Sequence, residues 1–313
     1  MVDIRLESAL KRAGEFGMEN VWTGVSLEEA LGALKPDALF NCTIPEAHFS
    51  TCLAGLRAGC HVLVEKPLAS SLDEARHLIA ASAETGRTLA VIQNRRYAAP
   101  IQAVKRALAE GAVGRVHGVF ADFFIAPRFG GFRETMGHPL LLDMAIHTFD
   151  QARFMTGLDA ISAHCHEFNP PGSWYAQGAG AVATFHLNGG AIFNYRGSWC
   201  AQGLPTSWES AWRIIGEKGT LLWDGGDTIT VESITEPYPG RGFIQPVERR
   251  AIPITPLPPE KTGHAGNISE FLDAIRSGAA PQTVATDNIR SLAMVDAAIR
   301  GAGCGREMGI PET

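Results

Sequence analysis

The stretch Gly59-Cys60-His61-Val62-Leu63-Val64-Glu65-Lys66-Pro67 constrains this chain more than any other. A glycine closes the preceding helix, an aliphatic run follows, and a charged pair stands directly before a proline. That order reads as helix stop, buried parallel strand and polar loop at the strand's carboxyl end. Open α/β sheets bind their ligands at that end. Proline keeps the residue before it out of helical angles, so Lys66 sits on extended backbone. An ammonium held there is a candidate catalytic cation. The alternative is a surface ion pair with Glu65, which contributes little energy.

The same rhythm surrounds this stretch. Met1-Val2-Asp3 reads as the end of a strand, followed by a helix over 6–16 capped by Gly17. Ser26-Leu27-Glu28-Glu29 and Ser71-Leu72-Asp73-Glu74 are capping boxes, opening helices that end near Lys35-Pro36 and Thr85-Gly86. Residues 38–42 and 89–92 are strands, and Thr43-Ile44-Pro45 leads into a helix over 46–58. Strand and helix alternating with short connections predict right-handed βαβ units on a parallel sheet.

The rhythm changes near residue 95, so the domains are expected at 1–94 and 95–313. A helix over 100–110 leads into a strand over 116–125, a Gly-, Arg- and Pro-rich loop over 126–138 and a helix over 140–155. Residues 181–187, Asn188-Gly189-Gly190 and 191–195 form a hairpin, and strands follow over 212–215, 219–223 and 228–234. Residues 237–262 read as irregular, and helices over 267–276 and 286–300 finish the chain. The expected fold class is α/β plus α+β. A truncated Rossmann-type parallel sheet is followed by a domain with an open, mainly antiparallel sheet and helices.

Composition narrows the function. Of 313 residues, 45% are apolar and 19% charged, with a net charge of −6, which suits folded domains with a sizeable core. No basic run points to nucleic acid or an anionic membrane. No apolar run reaches the roughly 18 residues that span a bilayer, and no leader is legible at the start, so a cytoplasmic protein is expected. The six cysteines lack C-x-x-C spacing and are expected as buried free thiols.

A second candidate is Leu142-Asp143-Met144-Ala145-Ile146-His147-Thr148-Phe149-Asp150. Asp143 and His147 are four apart on a predicted helix and share a face, with Asp150 three further on that side. A histidine beside carboxylates serves as a general base near neutral pH. The spacing also allows a satisfied core histidine or a surface pair. Metal ligation is the weakest option, because no second histidine stands at ligand spacing, and no metal site is expected.

Three segments together resemble the Gfo/Idh/MocA family, the relatives of glucose–fructose oxidoreductase and inositol dehydrogenase. They are Thr43-Ile44-Pro45-Glu46-Ala47-His48 with its helix ending Ala58-Gly59, His61 to Ala69 with Glu65-Lys66-Pro67, and Asp143-x-x-x-His147 followed by Asp150 and Gly157. The resemblance covers nearly the whole chain. It implies an NAD(P)-dependent oxidoreductase acting on a secondary alcohol of a sugar, cyclitol or related polyol. It implies that Lys66 hydrogen-bonds the reacting oxygen, His147 exchanges the hydroxyl proton and Asp143 orients both. Thr43, Ile44, Pro45, His48 and Glu65 would lie along the cofactor, and Asn94 and Arg96 would touch cofactor or substrate. Asp3 would bind the ribose 2′-hydroxyl and favour NAD, while Arg5 keeps NADP open. Family members often carry a cis peptide before the proline matching Pro67. The resemblance also implies a homodimer or homotetramer built through the second-domain sheet. Arg128, Arg133, His138 and Trp174 lie in loops that either reach a polar ligand or stay solvated.

The sequence departs from the family at its start. The Gly-rich turn G-x-G-x-x-G that holds a pyrophosphate is not found, and Gly14 and Gly17 lie in and after a helix with no preceding strand. The expectation is a start assigned too late or a shortened chain. Two other readings stay open: a non-catalytic sugar-binding or assembly protein that has lost dinucleotide binding, and transient oxidation before an elimination.

Overall fold

The structure, a computed structural model, describes residues 1–18, 20–238, 240 and 243–313. Two compact units form, Met1–Ile92 with Phe271–Ala285, and Gln93–Glu270 with Thr286–Thr313.

In the first unit, α1 (Leu6–Glu15) and α2 (Leu27–Leu34) precede β1 (Ala38–Asn41), α3 (Pro45–Arg57), β2 (His61–Glu65), α4 (Leu72–Thr85) and β3 (Leu89–Ile92). The three strands are parallel in the order β1-β2-β3, with Asn41 beside Val64 and Val64 beside Val91. Both capping boxes form, the Glu29 and Glu74 amides donating to Ser26 Oγ and Ser71 Oγ at 3.2 Å. The interior of β2 is wholly buried, as a strand covered on both faces must be. Gly55 lets α3 lie close on β1, since a Cβ there would stand 2.6 Å from Leu39 Cδ2. Phe271 meets Phe40 edge-on at 6.0 Å, and the Val91 amide donates to the Thr283 carbonyl.

In the second unit, α5 (Ala99–Ala109), β4 (Val116–Phe124) and a one-turn helix α6 (Phe132–Thr135) lead to a π-helical turn over Leu140–Ala145 and then α7 (Ile146–Thr156). After it come β5 (Ala160–Phe168), β6 (Gly180–Leu187), β7 (Ile192–Ser198), β8 (Ala211–Gly216), β9 (Gly219–Trp223), β10 (Ile229–Ile234) and β11 (Val247–Ala251). Helix α8 (Gly263–Ser277), which belongs to the first unit from Phe271 on, α9 (Ala285–Cys304) and a short β12 (Met308–Gly309) finish the chain. The sheet runs β11-β10-β9-β8-β4-β7-β6-β5-β12, antiparallel except between β4 and β7. Along β4, Val119, Ala121 and Phe123 are buried while Phe120 is exposed, the alternation of a sheet covered on one face. Phe149 of α7 anchors the covered face, with ring centroids 4.8 Å from Phe185, 6.0 Å from Phe193 and 5.3 Å from Tyr195.

The expected fold class is what forms, with three corrections of detail. The helix expected over 140–155 begins as a π turn. The loop over 126–138 contains the turn α6. The stretch 237–262 holds β11, paired antiparallel with β10, although Pro239, Arg241 and Gly242 lie outside the described residues. Among the described residues no helix is long and apolar enough to cross a membrane.

Candidate active site

The first candidates lie at the carboxyl edge of the parallel sheet, where β1 and β2 run out into Thr43 and Glu65-Lys66. Asn41 is buried and shapes the first exit loop, its Oδ1 accepting from the Thr43 amide at 3.2 Å and the Thr43 hydroxyl at 2.7 Å. His48 is fully buried in the first turn of α3. Its Nδ1 lies 2.7 Å from the Pro67 carbonyl oxygen and its Nε2 3.0 Å from the Thr43 carbonyl oxygen. The imidazole thereby stands between the loop carrying Thr43 and the loop carrying Lys66. The Lys66–Pro67 peptide is cis, and the Lys66 amide donates to Glu65 Oε2 at 3.2 Å. Thr43 and Ile44 are exposed and Pro45 opens α3, so this edge presents a helix amino terminus, a carboxylate and an ammonium together.

The Glu65 carboxylate is near enough to act on Cys42. Partial desolvation and then Glu65 push that thiol above its ordinary value. Cys42 and Cys304 are exposed and Cys200 is half-buried, so only Cys52, Cys60 and Cys165 meet the expectation of buried thiols. Asp3 Oδ1 accepts from the Arg5 amide at 2.8 Å, and both residues share a surface groove with Ser8, Lys11 and Arg12.

The second candidates belong to the second unit. The π turn carries Asp143, and His147 follows in the first turn of α7; both are half-buried. π-helical turns are frequent at functional sites. Arg133 Nε donates to Asp143 Oδ2 at 2.6 Å. Asn94 opens the 3₁₀ turn Asn94–Tyr97, its Nδ2 3.4 Å from His264 Nδ1.

Two candidates take other roles. The spacing sets Asp150 on the His147 side, but its carboxylate is buried and pairs with Arg96, at 2.7 Å to Nε and 2.5 Å to Nη2, with the Ser291 hydroxyl donating at 2.8 Å. Arg96, expected to touch cofactor or substrate, is buried and reaches Asp287 at 2.7 Å as well. Arg153 extends the network to Asp159 and Asp287, each at 2.8 Å. This pairing compensates charges that α7 would otherwise bury alone. Of the loop residues, Arg133 meets Asp143, Arg128 stacks 3.8 Å over Trp174, and His138 Nδ1 lies 2.5 Å from Glu167 Oε2.

The residues present fit the reactive end of a nicotinamide cofactor. Polar groups and a helix amino terminus gather where three parallel strands end, as dinucleotide sites in such sheets require. The Gly-rich pyrophosphate turn is not among the residues of this sequence.

Comparison with known proteins places the chain. The family profile described as an oxidoreductase family with an NAD-binding Rossmann fold matches residues 1–93, and that of the GFO/IDH/MocA C-terminal domain matches residues 101–222. The 1,5-anhydro-D-fructose reductase of Ensifer adhaerens is 27% identical over 309 residues, covering 96% of this chain and 88% of the reductase. The inositol 2-dehydrogenase of Rhizobium meliloti is 24% identical over 313 residues, covering 95% and 87%. An oxidoreductase from Agrobacterium radiobacter, solved with NAD+, L-tartaric acid and magnesium, shares the fold with a TM-score of 0.86 at 21% identity over 99% of this chain and 90% of that one. With both halves of the family's architecture matched in order along one chain, this protein belongs to the Gfo/Idh/MocA family of NAD-binding oxidoreductases.

Proposed function

We infer that the protein moves a hydride between NAD and a secondary alcohol of a sugar, cyclitol or related polyol, with Lys66 and His147 acting on one substrate oxygen. The observation that carries this reading is the family match across both domains, with Lys66 inside the first matched segment and Asp143 and His147 inside the second. The two named relatives are, by name, a reductase of an anhydro-sugar and a dehydrogenase of an inositol, which favours catalysis over a purely binding role.

The chemistry suits these side chains. NAD, when bound, supplies the hydride acceptor. A secondary alcohol has a pKa far above neutrality, so its proton must leave as the carbonyl forms. The neutral imidazole of His147 takes that proton. The Lys66 ammonium donates a hydrogen bond to the same oxygen and steadies its changing charge. The Asp143 carboxylate, gripped by Arg133, orients substrate and imidazole. Thr43, Ile44, Pro45, His48, Glu65 and Asn94 serve the cofactor side, and Asp3 with Arg5 the ribose, with NAD favoured over NADP.

The open sheet face supports a homo-oligomer, because Phe120, Val182 and Leu222 on its strands are each about two-fifths exposed. Free NAD as co-substrate puts the enzyme in the cytoplasm. The test is NADH formation across a panel of polyols and sugars with NAD in excess. Substrate-dependent NADH formation is expected, and none with any polyol would end the reading.

A further inference from the structure

Beside Asp143 stands a cluster of aromatic rings that proton and hydride transfer do not use. Phe129 and Trp208 are 49% and 45% exposed, with ring centroids 6.2 Å apart and planes inclined at 45°. Each rests on a buried aromatic: Phe129 lies 5.7 Å from Trp199, and Trp208 lies 6.2 Å from Phe123. The loop beneath is pinned, because Trp174 Nε1 and the Tyr175 hydroxyl both donate to the Pro127 carbonyl at 2.9 Å. Tyr175 also stacks on Trp199 at 5.5 Å.

We propose that Phe129 and Trp208 form a subsite for a second ring attached to the reacting sugar, so that the preferred substrate is a glycoside rather than a free sugar or cyclitol. The proposal rests on the reading that Asp143 orients the reacting ring. Continuity carries it. Arg133 bonds Asp143 through Nε at 2.6 Å, and its guanidinium lies 5.2 Å over the Phe129 ring. Asp143, Arg133, Phe129 and Trp208 therefore form a continuous run of contacts, and Arg95, which donates to the Trp208 carbonyl and to Met144 Sδ, links Trp208 back to the turn that carries Asp143. Two inclined faces on a buried base offer a flat ring apolar area without reorganisation, which is where binding energy is kept rather than spent on ordering. The remaining guanidinium N–H groups of Arg133 suit the hydroxyls or glycosidic oxygen at the ring's edge. A flat ring with an apolar face is the shared chemistry, and it occurs in both sugar and aryl aglycones.

The test compares a free hexose, its methyl glycoside, its phenyl glycoside and the corresponding disaccharide, by NADH formation and by quenching of tryptophan fluorescence. The ring-bearing glycosides are expected to show KM and Kd about tenfold below those of the methyl glycoside. A gain with phenyl alone identifies an aryl aglycone, and a gain with the disaccharide a sugar one. In Phe129→Ala and Trp208→Ala the ratio falls to about one, while Phe129→Tyr and Trp208→Phe restore it. Equal constants for ring-bearing and methyl glycosides, or a ratio unmoved by either alanine variant, overturn the proposal. If no compound yields NADH, the oxidoreductase reading fails. The fluorescence ratio then judges the subsite separately.

Discussion

Arg133 and Asp143 share a 2.6 Å charge-assisted hydrogen bond with side chains 34% and 13% exposed. A guanidinium from a Gly- and Arg-rich loop thus fixes a carboxylate on the π turn. Partly exposed pairs of this kind contribute about 0–1 kcal/mol to stability. Asp143→Asn is therefore expected to melt within a few degrees of the parent and to lose at least tenfold in kcat. A large fall in melting temperature with unchanged kcat would assign the pair to the scaffold.

The Arg96–Asp150–Arg153–Asp287 network makes the opposite prediction. Removing the Asp150 carboxylate leaves the buried Arg96 guanidinium with Asp287 alone, and breaking a buried pair typically costs about 3–5 kcal/mol. Asp150→Ala should lower the melting temperature strongly. Burial pulls the Asp287 carboxyl up, but Arg96 and Arg153 more than offset this and hold it below the usual carboxylate range. A depressed folded-state pKa stabilises above the unfolded value, and that stabilisation is lost as pH falls through the folded one. The stability gap between parent and Asp287→Asn should be full near neutrality and shrink in strong acid. A gap independent of pH would contradict the assignment.

Cys42 reports on the sheet edge. Desolvation and Glu65 raise its thiol pKa, so alkylation should be slow near neutrality and accelerate with rising pH, because the thiolate is the nucleophile. Bound NAD should shield Cys42 and leave the exposed Cys304 reacting as before. Equal labelling of Cys42 with and without NAD, followed by peptide mass spectrometry, would move the cofactor away from this edge.

His48 offers a positioning test. Alanine at this position neither fills the space between the Thr43 and Pro67 carbonyl oxygens nor donates to either, so the two loops lose a shared support. His48→Ala should therefore raise the KM for NAD and lower kcat. Unfolding free energy should fall by about 1–3 kcal/mol. Unchanged kinetics in a destabilised variant would limit His48 to support.

Much of this was legible in the sequence. Capping boxes at Ser26 and Ser71, the strand His61–Glu65 and the hairpin through Asn188-Gly189-Gly190 each carry their own local signal. What stayed hidden depends on distant partners. The spacing of Asp150 from His147 is that of a catalytic neighbour, and only the fold brings up Arg96, 54 residues earlier in the chain. Strand β11 reads Val-Glu-Arg-Arg-Ala and is exposed at every residue, so an edge strand blunted by charge shows no apolar period. The π turn over Leu140–Ala145 has no signature distinct from that of an α-helix. Arg133 sits in a loop whose composition looks solvated, and its grip on Asp143 appears only in three dimensions.

The most direct measurement is the rate of NADH formation by Lys66→Ala, His147→Ala and the double variant on one polyol that the parent oxidises. Groups that serve a single oxygen fail as a unit. Each single variant is expected to lose at least about 10²-fold in kcat, and the double variant little more than the worse single one. Parent rates in either single variant, or losses that multiply in the double one, would contradict joint action on one substrate oxygen.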